Sequence, residues 1–274
     1  MVPNADAEAP QVPPRLAPMG PDHITAELDR VAARALRQIS AENFPVALRV
    51  LPREPRGDLV RAYAFARFVD DIGDESQGDR LDLLDAVDQD LRRLPAGRSV
   101  LAPVQGLARL VGRHGLSIDP LLDLVEANRR DQLVTRYETF DDLLGYCRLS
   151  AAPIGRIVLA VAGISDAVAV ERSDRVCAAL QVLEHCQDVG EDWAMGRIYL
   201  PMADLRAAGV AEDDLGTRCT PDALRRVIAQ QLERTAHLLA DGRPLVRQLH
   251  GWARLAVVGY VAGGRATAAA LRRG

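Results

Sequence analysis

The chain has 274 residues, is 48% hydrophobic but only 4% aromatic, and carries a formal net charge of −4, a length that suits one large domain or two small ones. All 34 basic residues are arginine, which excludes a Schiff-base lysine and the lysine of a phosphate-binding loop; the interspersed charges give no basic footprint for nucleic acid. Cys147, Cys177, Cys186 and Cys219 form no Cys-x-x-Cys pair and follow no zinc spacing, so with no secretory signal they read as reduced thiols of a cytosolic protein.

Residues 1–22 read as a disordered leader rich in Pro and Ala, lacking the basic start and apolar core of a signal peptide. The remainder, 23–274, reads as one domain. A helical pattern runs from His23–Ile24 to about Ser40 through Leu28, Val31, Ala32, Ala35, Leu36 and Ile39. Pro45 disfavours helix at Phe44, which predicts a break and a fresh helix to Leu51. Pro52–Gly57 reads as a loop, with Asp58 as the N-cap of the next helix. That helix contains Tyr63–Glu75, YAFARFVDDIGDE, and ends at Ser76-Gln77-Gly78. Further helical segments are expected at about 79–93, 100–113, 119–136 and 140–149. An apolar segment from Ala151 to Ala162 opens on Pro153, which a first helical turn tolerates. No run of alternating β-branched residues is long enough for a sheet. Ten or more helices with short connections predict a single all-α bundle.

In Tyr63–Glu75 an apolar run flows into four carboxylates, Asp70, Asp71, Asp74 and Glu75. On a helix Asp70 and Asp74 lie one turn apart, roughly 6 Å between Cβ atoms, and repel each other. A cation between them reverses the sign of that interaction, and hard oxygen ligands without His or Cys suit Mg²⁺. The stretch Arg175–Pro201, RVCAALQVLEHCQDVGEDWAMGRIYLP, repeats the spacing with Asp188 and Asp192, and Glu184 stands one turn earlier. Each cluster has a glycine among its carboxylates, and a mid-helix glycine costs up to about 1 kcal/mol relative to alanine, so a packing or access reason is expected. Two such helices facing each other could hold divalent ions that bind and activate a diphosphate; the plain alternative is two solvated acidic helix ends. His185 is expected to be a partly buried histidine satisfied by a backbone partner, the alternative being a contact with a metal-binding carboxylate or a water. Cys186 reads as core packing. The last helix, about Trp252 to Leu271, has an apolar run, Leu255–Gly264, too short to span a bilayer. It could line a tunnel for polyprenyl chains or pack as a core helix.

YAFARFVDDIGDE and QDVGEDWAMGRIYLP resemble the two aspartate-rich signatures of the squalene/phytoene synthase family of head-to-head prenyl synthases. The likeness extends over residues 24–270 in the expected order. It implies the all-α isoprenoid-synthase bundle with a central cavity, and Mg²⁺ held by Asp70 and Asp74 on one side and by Asp188 and Asp192 on the other. By the same resemblance Tyr63 and Arg67 serve the cavity wall and the diphosphate, Arg197 and Tyr199 belong to a segment that closes over the second motif, Asp131 falls near a further polar position of the cavity, and Gln187 is expected at the substrate. Arg67 can also form an i, i+4 salt bridge to Asp71.

Ala41-Glu42-Asn43-Phe44-Pro45-Val46-Ala47 stands where phytoene, squalene and presqualene diphosphate synthases usually carry a Ser-x-Ser-Phe-type stretch. It looks like the hydroxysqualene synthase of the hopanoid pathway, which places Asn43 and Phe44 at the substrate. The chain departs from that pattern at Ala152, where Ser-Ala-Asn-Pro is usual, and at Glu184, where the pattern is rich in Asn. The resemblance implies a lyase that ionises presqualene diphosphate and releases hydroxysqualene, in partnership with a presqualene diphosphate synthase. Without a signal peptide or a transmembrane segment in the sequence a cytoplasmic location is expected, with peripheral membrane contact open because the product is apolar. The alternatives are a transferase of the same family, condensing two prenyl diphosphates to presqualene diphosphate or phytoene, and a catalytically inactive homologue acting in assembly.

Overall fold

Helix α1 (Pro21–Ile39) lays an apolar stripe of Leu28, Val31, Ala32 and Ala35 against α2 (Arg53–Glu75). The computed structural model describes residues 19–39, 51–217 and 219–273, and among them there are fourteen α-helices, two 3-10 turns and no strand. Residues 1–18 of the expected leader, and the expected break and helix at 40–50 with Asn43 and Phe44, lie outside the described residues, whereas Pro21 and Asp22 of that leader already form the first turn of α1.

Helix α2 starts at Arg53, after Pro52, and not at Asp58. Asp58 is instead a buried residue inside the helix, accepting hydrogen bonds from Arg109 Nε at 3.1 Å and pairing with His114 Nε2 at 2.9 Å. Its acidity serves a tertiary ion cluster, which the N-cap reading overlooked. Further along α2, Phe65, Phe68, Val69 and Ile72 are fully buried, each worth about 1.5–3 kcal/mol of transfer free energy. Helix α3 (Arg80–Arg93) begins at Asp79, whose carboxylate accepts from the backbone N–H groups of Leu81 and Asp82. The expected helix over 100–113 is two pieces, α4 (Ala102–Gln105) and α5 (Ala108–His114). Between them Leu107 N–H bonds to Val104 O at 3.0 Å, a tighter turn, and Leu107 is fully buried there.

Helix α6 (Asp119–Leu133) stops short of residue 136 because the following segment pairs with another. Ile198 N–H donates to Thr135 O at 2.9 Å, Met202 N–H to Tyr137 O at 2.8 Å and Ala203 N–H to Glu138 O at 3.0 Å. An isolated parallel bridge joins Arg136 and Ile198. Helix α7 (Phe140–Ser150) opens with a capping box formed by Thr139 and Asp142, and α8 (Ala152–Val161) follows at once with Pro153 in its first turn. The stretch Phe140–Val161 has the length and hydropathy of a membrane span. It is broken at Ala151, and Leu143, Cys147, Ile157 and Leu159 sit in the core, so it packs as two core helices.

The central element is α9 (Ala167–Gln187), which packs against α7, α8, α12 (Asp222–Gly242) and α14 (Gly251–Leu271). Short helices α10 (Val189–Ala194), α11 (Met202–Ala208) and α13 (Leu245–Gln248) connect these elements. All four cysteines are free, and burial pushes the Cys147 and Cys186 thiols up to about 12. Cys147 and Cys186 are therefore protonated packing groups, as expected of Cys186.

Candidate active site

The first carboxylate pair projects from the C-terminal third of α2. Asp70 accepts a hydrogen bond from Asn128 Nδ2 at 3.0 Å, and Asp74 accepts one from Arg197 Nη1 at 3.0 Å. Asp71 and Glu75 belong to another face: Asp71 is buried and pairs with Arg67 Nε at 2.9 Å, while Glu75 pairs with Arg34 of α1. The i, i+4 salt bridge of Arg67 is thus formed. Tyr63 and Arg67 stand half-buried on α2, about two turns and one turn before Asp70.

The glycine between the carboxylates has a physical cause. A Cβ on Gly73 would come within 2.2 Å of Asn128 Oδ1, so only glycine lets α6 bring its amide to Asp70. Gln132, one turn on from Asn128, donates to Gly73 O at 2.9 Å. Asp70 can be reached by water yet is walled by protein on most sides. Burial pushes its carboxyl up to about 6, with the Asn128 hydrogen bond opposing and the Asp74 charge adding to the shift.

Asp131 sits one turn beyond Asn128 on the same face of α6, between the two acidic segments. It accepts hydrogen bonds from Tyr146 Oη at 2.7 Å and Tyr199 Oη at 3.0 Å. Burial raises its carboxyl above the usual range, and the two phenols and Arg197 work the other way. Arg197 resists the burial that would weaken its charge, because Tyr199, Asp131 and Asp74 all favour the guanidinium.

The second pair spans a helix break. Helix α9 ends at Gln187, Asp188 has φ −100° and ψ 15°, and α10 resumes at Val189. The i, i+4 relation survives, since Asp192 N–H donates to Asp188 O at 2.8 Å. Burial raises the Asp188 carboxyl, and Asp192 and Glu191 raise it further. Glu184, one turn earlier, is raised for the same leading reason. His185 does not find a backbone partner: Nδ1 lies 3.6 Å from Asp192 Oδ2, and Nε2 lies 3.3 Å from Gln181 Nε2. Its ring stacks on Tyr199 at 3.8 Å between centroids. The expected backbone contact gives way to the contact with a metal-motif carboxylate, because α9 turns this face toward the Tyr137–Tyr146–Tyr199 cluster.

The two segments are therefore joined by Arg197, Asp131, Tyr199 and His185. Asn128, Gln132 and Tyr146 went unnoticed in the sequence; the only signal was the i, i+3, i+4 spacing of Asn128, Asp131 and Gln132 on one helix. Gln187 lines, with Val189, Gly190, Arg225 and Arg226, a cavity of about 910 Å³. Beside the polar lattice a second cavity of about 230 Å³ lies between α8, α9 and α14. Its walls include Ile154, Val158, Leu180, Val257 and Tyr260, and Gln181 and Glu184 form its polar end.

The donors at both pairs are carboxylate oxygens, which suits Mg²⁺. Among the described residues no three Asp, Glu, His or Cys side chains converge into a ready-made cage. Mg²⁺ usually takes one or two protein carboxylates and completes its shell with water and substrate phosphate.

A profile of the squalene/phytoene synthase family matches residues 38–274. A hydroxysqualene synthase of Rhodopseudomonas palustris is 38% identical over 76% of this chain and 71% of its own length, and one of Zymomonas mobilis is 40% identical over the same shares. The crystal structure of the squalene synthase HpnC from Alicyclobacillus acidocaldarius superposes with a TM-score of 0.81 at 41% identity, covering 93% of this chain and 96% of that one. Enzymes of this kind generally ionise prenyl diphosphates with a divalent metal. The expected all-α isoprenoid-synthase fold is thereby established, and the chain belongs to the squalene/phytoene synthase family.

Proposed function

We infer that this protein is a hydroxysqualene synthase, converting presqualene diphosphate and water to hydroxysqualene and diphosphate. The observation that carries the reading is the pair of carboxylate segments joined through Arg197, Asp131 and Tyr199, with Glu184, one turn before Asp188, in the lining of an apolar cavity. Likeness to two enzymes of that name, at 38% and 40% identity, supports the same choice. Asp70, Asp74, Asp188 and Asp192 would hold Mg²⁺, which supplies charge stabilisation to a departing diphosphate.

The chain's own residues account for the rest of the reaction. Arg197, kept charged by its acidic neighbours, offers a guanidinium to diphosphate oxygens, and Arg67 stands one helical turn before Asp70 and Asp71 for the same anion. As the C–O bond breaks, its electron pair leaves with the diphosphate. The apolar walls from Ile154 to Tyr260 keep bulk water from the carbocation while its skeleton rearranges. A single water then adds its oxygen to the cation and loses a proton. Glu184, whose carboxyl is held above its ordinary range by burial, is a suitable acceptor at the polar end, with Gln181 beside it. Asn43 and Phe44, which lie outside the described residues, belong to the substrate side in this reading.

Product analysis tests it. With presqualene diphosphate in ¹⁸O-water and no nicotinamide, the purified protein should yield hydroxysqualene carrying the label. Efficient coupling of two farnesyl diphosphates by the protein alone would overturn the assignment. A second reading, reduction to squalene, rests on the 41% identical relative called a squalene synthase. Squalene formed only with added reduced nicotinamide would establish it.

A further inference from the structure

Residues 243–274 contain six arginines and not one Asp or Glu, in a chain whose net charge is −4. Arg243, Arg247, Arg254, Arg265, Arg272 and Arg273 are all exposed, and none makes a side-chain hydrogen bond or ion pair with a described residue. Helix α14 is apolar on two sides. Its inner stripe of Ala253, Val257, Val261, Gly264 and Ala268 is buried. Its outer side shows Leu255 at 73%, Val258 at 42% and Tyr260 at 42% exposure, and Gly259, Ala262 and Gly263 are exposed as well. From Leu255 to Gly264 there is no charged residue, while Arg254 and Arg265 flank the run. The outer strip also borders the apolar cavity, whose walls include Val257, Tyr260 and the 39% exposed Ile154 of α8.

We propose that the outer face of α14 docks the protein on an anionic phospholipid bilayer. Leu255 and Val258 enter the boundary between headgroups and acyl chains, and the flanking arginines meet lipid phosphates. An apolar strip bounded by basic residues is the arrangement that lies in a membrane interface. Each arginine near an anionic surface strengthens binding by about fivefold at moderate ionic strength. Charge also decides against the other natural occupant, a second copy of this helix. Gly259 and Gly263 would permit close approach of two helices, but pairing α14 with itself would bring two acid-free, arginine-rich segments together. Docked this way, the cavity rim faces the lipid, a route for polyprenyl chains that never crosses water; this last role rests on the proposed function, whereas the docking itself does not.

Flotation with vesicles, using the full chain, tests the docking independently of any product assay. Vesicles of mixed phosphatidylglycerol and phosphatidylcholine should carry at least about tenfold more protein than phosphatidylcholine alone, with the excess falling as salt screens the arginines. The double substitution Leu255→Glu with Val258→Glu should reduce flotation by a similar factor and leave the melting temperature unchanged, since both side chains are exposed. Replacing Arg247, Arg254 and Arg265 with Gln should remove the preference for anionic lipid. Equal flotation of the Glu variant, or no flotation of the wild type, would overturn the proposal. So would a concentration-dependent dimer in sedimentation that the Glu variant dissolves, because the face would then be a contact between copies.

Discussion

The two acidic segments look like near copies in sequence, Asp71-Ile-Gly-Asp-Glu and Asp188-Val-Gly-Glu-Asp, yet they are built on different principles. The first lies within the last turns of a 23-residue helix, and each member of its pair is held by a donor from another element, Asn128 or Arg197. The second straddles a break between α9 and the six-residue α10, with His185 at 3.6 Å as its neighbour. Its short helix is braced from outside, where the Trp193 ring covers Gly216 so closely that a Cβ there would lie 2.3 Å away. The glycines differ in the same way. Gly73 is required by Asn128, whereas a Cβ on Gly190 would meet only Leu215 O at an ordinary 3.6 Å. Identical spacing therefore hides one fixed wall and one jointed wall.

The largest expected effect treats both walls alike. Asp70→Asn, Asp74→Asn, Asp188→Asn and Asp192→Asn should each lower turnover at least about a hundredfold, the scale of a lost electrostatic contact in a transition state. Each variant should keep its fold by circular dichroism; unfolding would make these residues structural.

Gly73→Ala then separates the walls. The new methyl displaces the Asn128 amide from Asp70, so turnover should fall about tenfold, and overpacking of this kind costs about 1–3 kcal/mol of stability. Unchanged melting and activity would mean that α6 yields freely, and the first wall would no longer count as fixed.

A titration sharpens the contrast further. The folded-state pKa of Asp70, about 6, lies above its ordinary 3.8, so the folded protein holds that proton more tightly than the unfolded chain does. Its stabilising effect is present below pH 3.8 and lost as pH rises toward 6. In metal-free protein, Asp70→Asn should therefore remove this loss and raise the melting temperature at pH 7 by about 2 °C, a small figure because water reaches the carboxylate. A lower melting temperature for the variant at pH 7 would reverse the sign and discard the burial argument.

The smallest effect is expected at the jointed wall. Gly190→Ala meets no close atom and improves helix propensity by up to about 1 kcal/mol, so melting should hold or rise slightly. Activity within about twofold of wild type would fit; a loss as large as that of Gly73→Ala would erase the distinction.

Much of this arrangement was legible in the sequence. Carboxylates one turn apart on apolar helices pointed to Asp70, Asp74, Asp188 and Asp192 as a set, and the apolar periodicity gave most helices. What stayed hidden depends on tertiary neighbours. Asp58 reads as a cap until Arg109 and His114 arrive from α5, and His185 reads as a core histidine until Tyr199 stacks on it. The end of α6 at Leu133 was invisible because its cause, the pairing with 198–203, lies more than sixty residues away. The break at Asp188 was missed because backbone dihedrals there answer to α10 packing on the 3-10 turn Glu212–Gly216 rather than to local propensity.

Arg197 belongs to both walls at once. Its backbone N–H donates to Asp192 O at 2.9 Å, while its guanidinium donates to Asp74 at 3.0 Å. A single residue thus links the jointed wall to the fixed one through a covalent path only a side chain long. Thermodynamic coupling between sites is reciprocal, so an anion that draws the guanidinium from Asp74 also changes the restraint on α10, and a shift of α10 alters how much positive charge Asp74 sees.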